Sequence, residues 1–153
     1  MKYLLLAIPA LLIYSSYNKM QKIKKLIENL EVKLTKIYHV KVQLLKKQIT
    51  FLADISIINT QKEALNVETI GLVTLKRVLF YDTNSALIGE GIINISSVTI
   101  DPNKNLELKS IPFTANMATG LTKLQSFLKN PESQDVFIEL ELEAFNKVYK
   151  TRL

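Results

Sequence analysis

The 153-residue sequence contains no cysteine, no tryptophan and a single histidine. Without cysteine there is no disulfide framework, thiolate zinc site, iron–sulfur cluster, cysteine nucleophile or lipidated cysteine. One histidine removes most histidine-based metal sites and makes any Ser-His-Asp triad depend on His39 alone. The four glycines are too scattered to cradle a phosphate, and no G-x-S-x-G, H-E-x-x-H, P-loop or dinucleotide fingerprint is present. Acidic residues are scarce at one end. Residues 1–50 carry ten lysines against Glu28 and Glu31, a net +8, whereas residues 51–153 carry ten bases and twelve acids, a net −2. The overall +6 is therefore a property of the N-terminal third, and it reads as a basic collar rather than a nucleic-acid footprint. Nucleic acid is disfavoured again by the aromatics, since Tyr38 is the only one within Lys33–Lys47 and its spacing sets it among apolar residues.

What is present suits one globular domain. With 48% apolar and 22% charged residues, wholesale disorder is excluded and a sizeable core is affordable.

Residues 3–14 hold no polar side chain except the terminal tyrosine hydroxyls. Carried on to Tyr17, the run makes a helix of about 22 Å, short of a bilayer core of about 30 Å. Three readings fit: a signal peptide with Lys2 as its basic end, a short anchor, or a helix buried in a larger assembly. No A-x-A site follows, only Ile13-x-Ser15, so retention of the segment is expected. The anchor reading assigns Tyr3, Leu4, Leu5, Leu6, Ile8, Leu11, Leu12, Ile13, Tyr14 and Tyr17 to the membrane or assembly. Lys19, Lys22, Lys24 and Lys25 then form the collar, either a solvated helix face or a contact with anionic lipid. The positive-inside rule places the body on the cytoplasmic side of a membrane, or inside a phage particle. Met20, Ile23, Leu26, Ile27 and Leu30 recur at helical spacing, so an amphipathic helix over 18–29 continues the segment, with Pro9 as a kink. The division expected is an anchor and neck at 1–29 and a body at 30–153.

From residue 30 the period falls from 3.6 to 2. Leu30, Val32, Leu34, Tyr38, Val40 and Val42 alternate with polar residues, interrupted at Lys36 and Ile37 where a bulge is expected. Ile49–Ile57, Leu65–Val73, Lys76–Tyr81, Leu87–Ile100, Leu106–Ala115, Val136–Ala144 and Val148–Leu153 read as further strands. Asn59–Glu63, Asp82–Ser85 and Asp101–Asn105 are turns, Pro112 marks an edge or bulge, and Gly89 and Gly91 mark a bulge or close backbone approach. Gly120–Lys129 is the one interior helix, stopped by Asn130-Pro131. The fold class expected is mainly β: an immunoglobulin- or fibronectin-like antiparallel β-sandwich with one short helix, preceded by the N-terminal hydrophobic or amphipathic helix.

Chemistry has few candidates. Glu139, Glu141 and Glu143 share one strand face about 6.5–7 Å apart, a spacing open to a hard cation or an acid/base pair. A wet outer face with cross-strand lysine partners is the simpler reading, and it is preferred. Asp54 within an apolar strand is second, and is expected on the solvated side. His39, among Lys33, Lys36 and Lys41, is expected to be exposed rather than ligating.

The order of parts resembles the late-embryogenesis-abundant type 2 family, also called the water-stress and hypersensitive-response domain. The resemblance is carried by I-T-F-L-A-D-I-S-I-I-N (Ile49–Asn59), A-L-N-V-E-T-I (Ala64–Ile70), L-I-G-E-G (Leu87–Gly91), I-P-F (Ile111–Phe113) and V-F-I-E-L-E-L (Val136–Leu142). Where members of that family read Asn-Pro after the second strand, this chain reads Asn59-Thr60. The resemblance implies an immunoglobulin- or fibronectin-like sandwich with one helix, no catalysis and an association with desiccation or stress protection in plants, with related small anchored proteins in bacteria and their phages, and it transfers no site residue; no cofactor is expected. The expectation is a non-enzymatic structural or binding module with protein partners, tethered through residues 3–25. The alternatives are a structural protein of a phage virion and, third, a carboxylate-metal enzyme.

Overall fold

Helix gives way to strand where the hydrophobic period changes, in a computed structural model that describes residues 17–18, 20–65, 73–129 and 136–151. Helix α1 covers 20–28. Seven strands follow: β1 (Leu30–Gln43), β2 (Gln48–Asn59), β3 (Val73–Asp82), β4 (Leu87–Ser96), β5 (Asn105–Asn116), β6 (Val136–Ala144) and β7 (Lys147–Lys150). Helix α2 (Met117–Lys129) lies between β5 and β6. The strands form one antiparallel sheet in the order β1-β2-β5-β4-β3-β6-β7. Most of the strand expected at 65–73 lies outside the described residues, although Leu65 itself bridges Ile100. Helix α2 starts three residues ahead of Gly120 because the Asn116 side chain accepts the Ala118 backbone N–H at 2.8 Å, an N-cap.

The sheet is drawn together at its middle by two glycines. β4 pairs with β5 only over Gly89–Gly91 against Phe113–Ala115. With no side chain on Gly91, the Phe113 ring lies over that strand and stacks on Phe80 of β3 at 4.6 Å and on Phe51 of β2 at 5.3 Å. Three strands thus share one aromatic stack, and Gly89 and Gly91 are the close approaches that the sequence suggests. Pro112 sits just where the β4–β5 pairing stops, a place for a residue that cannot donate to a ladder.

β1 departs from its simple alternation. Register shifts fall between Leu34 and Lys36 and between Tyr38 and Lys41, the second beside His39 at φ 52°. The first slip exchanges the faces of the strand, so Ile37 is buried and Tyr38 joins the polar outer face. The second exchanges them back, so Val42 stands opposite the buried Ile49, yet Val40 and Val42, close to the hairpin tip, are exposed.

Helix α1 is amphipathic, as the spacing of Ile23, Leu26, Ile27 and Leu30 predicts, and its apolar side is turned into the protein: Ile23, Leu26 and Ile27 belong to the same core as Leu30, Ile57, Leu65 and Ile100. The polar turn after β2 clasps it. Gln61 Nε2 donates to the Leu26 carbonyl at 3.0 Å, and Lys22 pairs with Glu63 at 2.8 Å. Asn59, fully buried, ties that turn to the sheet by donating to the Glu63 and Ile100 carbonyls at 2.7 and 3.1 Å while accepting the Gln61 N–H. Among the described residues no helix is long and apolar enough to cross a membrane.

Candidate functional site

β6 projects Glu139, Glu141 and Glu143 outward, and neighbouring strands meet each with a cation. Glu143 pairs with Lys76 of β3 at 2.8 Å. Glu141 accepts two guanidinium bonds from Arg77, Nε to Oε1 at 3.1 Å and a terminal nitrogen to Oε2 at 3.2 Å. The same guanidinium reaches Glu90 of β4 at 3.1 Å. Glu139 accepts Lys150 of β7 at 2.8 Å and the Tyr81 hydroxyl at 3.3 Å. These hydrogen bonds hold the Arg77 and Lys150 cations above their usual pKa values, with Glu141 and Glu139 respectively as the leading causes. Burial, and then the Glu139 charge, raises the Tyr81 phenol. The carboxylates are thus spread along the strand, each turned to its own base rather than converging on a shared point. Among the described residues no three acidic or imidazole groups are placed to hold a metal ion.

Asp54 has a different task. It stands at the register shift between Ala53 and Ile55, opposite the bulge of β5 where Ser110 takes φ 57°. Its Oδ1 accepts the Ser110 N–H at 2.8 Å and the Tyr38 hydroxyl at 3.0 Å, and its backbone carbonyl accepts the Thr35 hydroxyl at 3.0 Å. Tyr38 and Ser110 share a further bond at 2.7 Å. One aspartate therefore pins the bulges of both strands that flank β2. The Ser110 N–H above all, with help from Tyr38 and nearby Lys36 and Lys109, lowers the Asp54 pKa below its ordinary value against a smaller desolvation effect. His39 is exposed, with its ring edge-on to Tyr38 at 5.2 Å.

In the basic collar, Lys22 and Lys24 face Glu63 and Glu28 at 2.8 and 3.7 Å, and Lys25 is exposed. Tyr17 is 58% exposed. Lys19 and the remaining anchor positions, Tyr3, Leu4, Leu5, Leu6, Ile8, Leu11, Leu12, Ile13 and Tyr14, lie outside the described residues. Sequence reasoning missed Arg77, Tyr38, Ser110 and Asn59. Only Asn59 carried a local signal, a buried-strand asparagine opening a polar turn.

No protein-family model matches the sequence, and no curated protein matches it. Solved structures are similar to it at low scores. An ApaA protein from Bordetella pertussis is 12% identical with a TM-score of 0.38, over 80% of this chain and 86% of that one. A late-embryogenesis-abundant protein is 11% identical with a TM-score of 0.32, over 96% and 81%. A β-sandwich protein from Clostridium difficile is 14% identical with a TM-score of 0.26, over 81% and 85%. No residue role passes from them to this chain.

Proposed function

We propose that the chain is a non-enzymatic structural or binding module, a sandwich of the late-embryogenesis-abundant type 2 kind, held at a membrane or in a large assembly by residues 3–17. One observation carries the reading: the outward carboxylates of β6 are paired off one by one with Lys76, Arg77 and Lys150. A metal or acid/base site needs convergent, unneutralised groups, and these are committed to holding strands together. At the N-terminal end the sequence sets the apolar run of residues 3–14 next to Lys19, Lys22, Lys24 and Lys25, of which Lys22 and Lys24 face Glu63 and Glu28 and Lys25 is exposed. That pairing of an apolar run with a basic border suits a membrane with anionic lipid on the body's side, the cytoplasmic leaflet in a cell. Protein partners would meet the outer faces of the sheet.

Two measurements test this. Fractionation with intact-mass determination should find a detergent-dependent species that retains residues 3–17, and a soluble species lacking them would end the tether. Calcium, magnesium or manganese should leave the melting temperature unchanged, and a concentration-dependent rise abolished by Glu141→Ala would restore the metal reading.

A further inference from the structure

The β1–β2 hairpin ends in a tip that a water-facing turn does not need. Hairpin tips favour glycine, asparagine, aspartate and proline. This one closes with Leu44-Leu45-Lys46 as a single 3-10 turn, followed by Lys47 in the left-handed region at φ 50°. Leu44 is 72% exposed and Leu45 fully so, and Val42 beside them is 47% exposed. Leu87 of β4, also exposed, lines one shallow cavity with Lys46 and Lys47. Between Glu31 and Asp54 the sequence has five lysines and no acid. Lys41, Lys46 and Lys47 are exposed, and none has an ion-pair partner among the described residues. On β3 and β7, Lys76, Arg77 and Lys150 are neutralised by Glu143, Glu141 and Glu139, whereas Lys109 and Lys147 are exposed singly; the tip differs in joining three such lysines to exposed leucines.

We propose that the Leu44–Leu45 tip, with Lys41, Lys46 and Lys47 around it, inserts into the interface of a bilayer containing anionic lipid. Adjacent leucines supply apolar surface that enters the boundary between headgroups and acyl chains, and the lysines stay at headgroup level against negative charge. A nucleic acid would answer the lysines but not the leucines. β1 carries the tip 14 residues away from α1, roughly 46 Å at about 3.3 Å per residue, so the contact is separate from the lysines of α1. It rests on different residues from the tether and stands or falls apart from it.

The absence of tryptophan makes the test direct. In the full chain, Leu45→Trp places the only indole at the tip, on a side chain whose exposure leaves folding untouched. With phosphatidylserine-rich vesicles its emission should shift to the blue and be quenched by brominated acyl chains. High salt, or the added changes Lys46→Glu and Lys47→Glu, should reduce the effect several-fold. Val148→Trp, on exposed β7, should report no change. No shift at Leu45→Trp overturns the proposal, and if the chain still sediments with the vesicles, the N-terminal tether survives alone. An equal shift with phosphatidylcholine vesicles refutes the role of charge. A shift that grows with protein concentration in the absence of vesicles assigns the tip to a second copy of the chain, and overturns the proposal too.

Discussion

A methyl group placed on Gly91 would meet the Phe113 ring at 2.4, 2.6 and 2.6 Å from three of its carbons. In many cores a side chain so crowded would swing aside. Phe113 is almost wholly buried and stacked between Phe80 and Phe51, so swinging it would vacate the centre of the core. Overpacking of this kind costs about 1–3 kcal/mol. Restricting the unfolded chain by Gly→Ala returns about 0.4–1 kcal/mol. The net expectation for Gly91→Ala is a loss of about 1–2 kcal/mol, or a fall in melting temperature of about 2–8 °C for a chain of this length. Circular dichroism melts of Gly91→Ala, Phe113→Leu and the double variant form a cycle. Phe113→Leu alone should cost about 1–3 kcal/mol, part of what Phe→Ala costs. In its background the smaller side chain makes room, so the two losses should fall short of additive by about 1 kcal/mol. Gly89→Ala is the control, because its methyl group meets backbone, the Thr114 carbonyl at 2.6 Å and the Ala115 Cα at 2.9 Å. Phe113→Leu should not relieve it. A Gly91→Ala protein as stable as the parent, or strictly additive losses, would refute the account of how the sheet is drawn together.

Three further outcomes follow from the polar contacts. Asp54 has a lowered pKa in the folded chain, so its contribution is present above the unfolded value of about 3.9 and lost as pH falls through the folded value; Asp54→Asn should flatten that acid limb of a melting-temperature profile, and an unchanged limb would show that the bulge contact carries no charge dependence. Arg77→Ala strands Glu141, whose side chain is 11% exposed, and should cost about 1–2 kcal/mol in urea titrations, whereas Glu90→Ala should stay within about 0.5 kcal/mol. Asn59→Ala removes the Asn59 bonds to the Glu63 carbonyl and the Gln61 N–H, while the Ile100 carbonyl keeps the Leu65 N–H, and should cost about 1–3 kcal/mol, with faster amide exchange in 20–28 as the clasp on α1 loosens.

The strands were legible because apolar residues recur at period 2 over Ile49–Ile57 and Val136–Ala144, and the buried faces of β2 and β6 follow that pattern. β1 was misread past Leu34. A bulge consumes one residue without altering composition, Tyr38 suits either face of a strand, and a second slip returns Val42 to the side of Ile49. Gly89 and Gly91 announced a close approach, but what approaches is Phe113, some two dozen residues later, and no local pattern names it. The acidic ladder was visible and its pairing with bases foreseen in kind. Arg77 was absent from that reading because it is a partner only through the β3–β6 register. Asp54 looked like a residue on the wet face. Its place there is right, and its role depends on a bulge in β5 that only Ser110's backbone reveals.

The distribution of charge is the step from fold to function. Half-exposed pairs such as Lys76–Glu143 contribute at most about 1 kcal/mol each, so the fold does not require acids to be withheld from the stretch between Glu31 and Asp54. Lysines kept only for solubility would be served as well by mixed signs along the whole surface. Instead Lys76, Arg77 and Lys150 meet the acids of β6 face to face, while the hairpin between Glu31 and Asp54 holds five lysines without an acid and turns at two exposed leucines. An electrostatic field left uncancelled beside uncovered apolar surface acts on something outside the molecule. Attraction of that origin weakens as salt shortens its range, whereas strand pairing and the Phe51–Phe80–Phe113 stack do not. Salt should therefore separate the two properties: it should release the hairpin from an anionic surface at concentrations that leave the melting temperature of the sheet essentially unmoved.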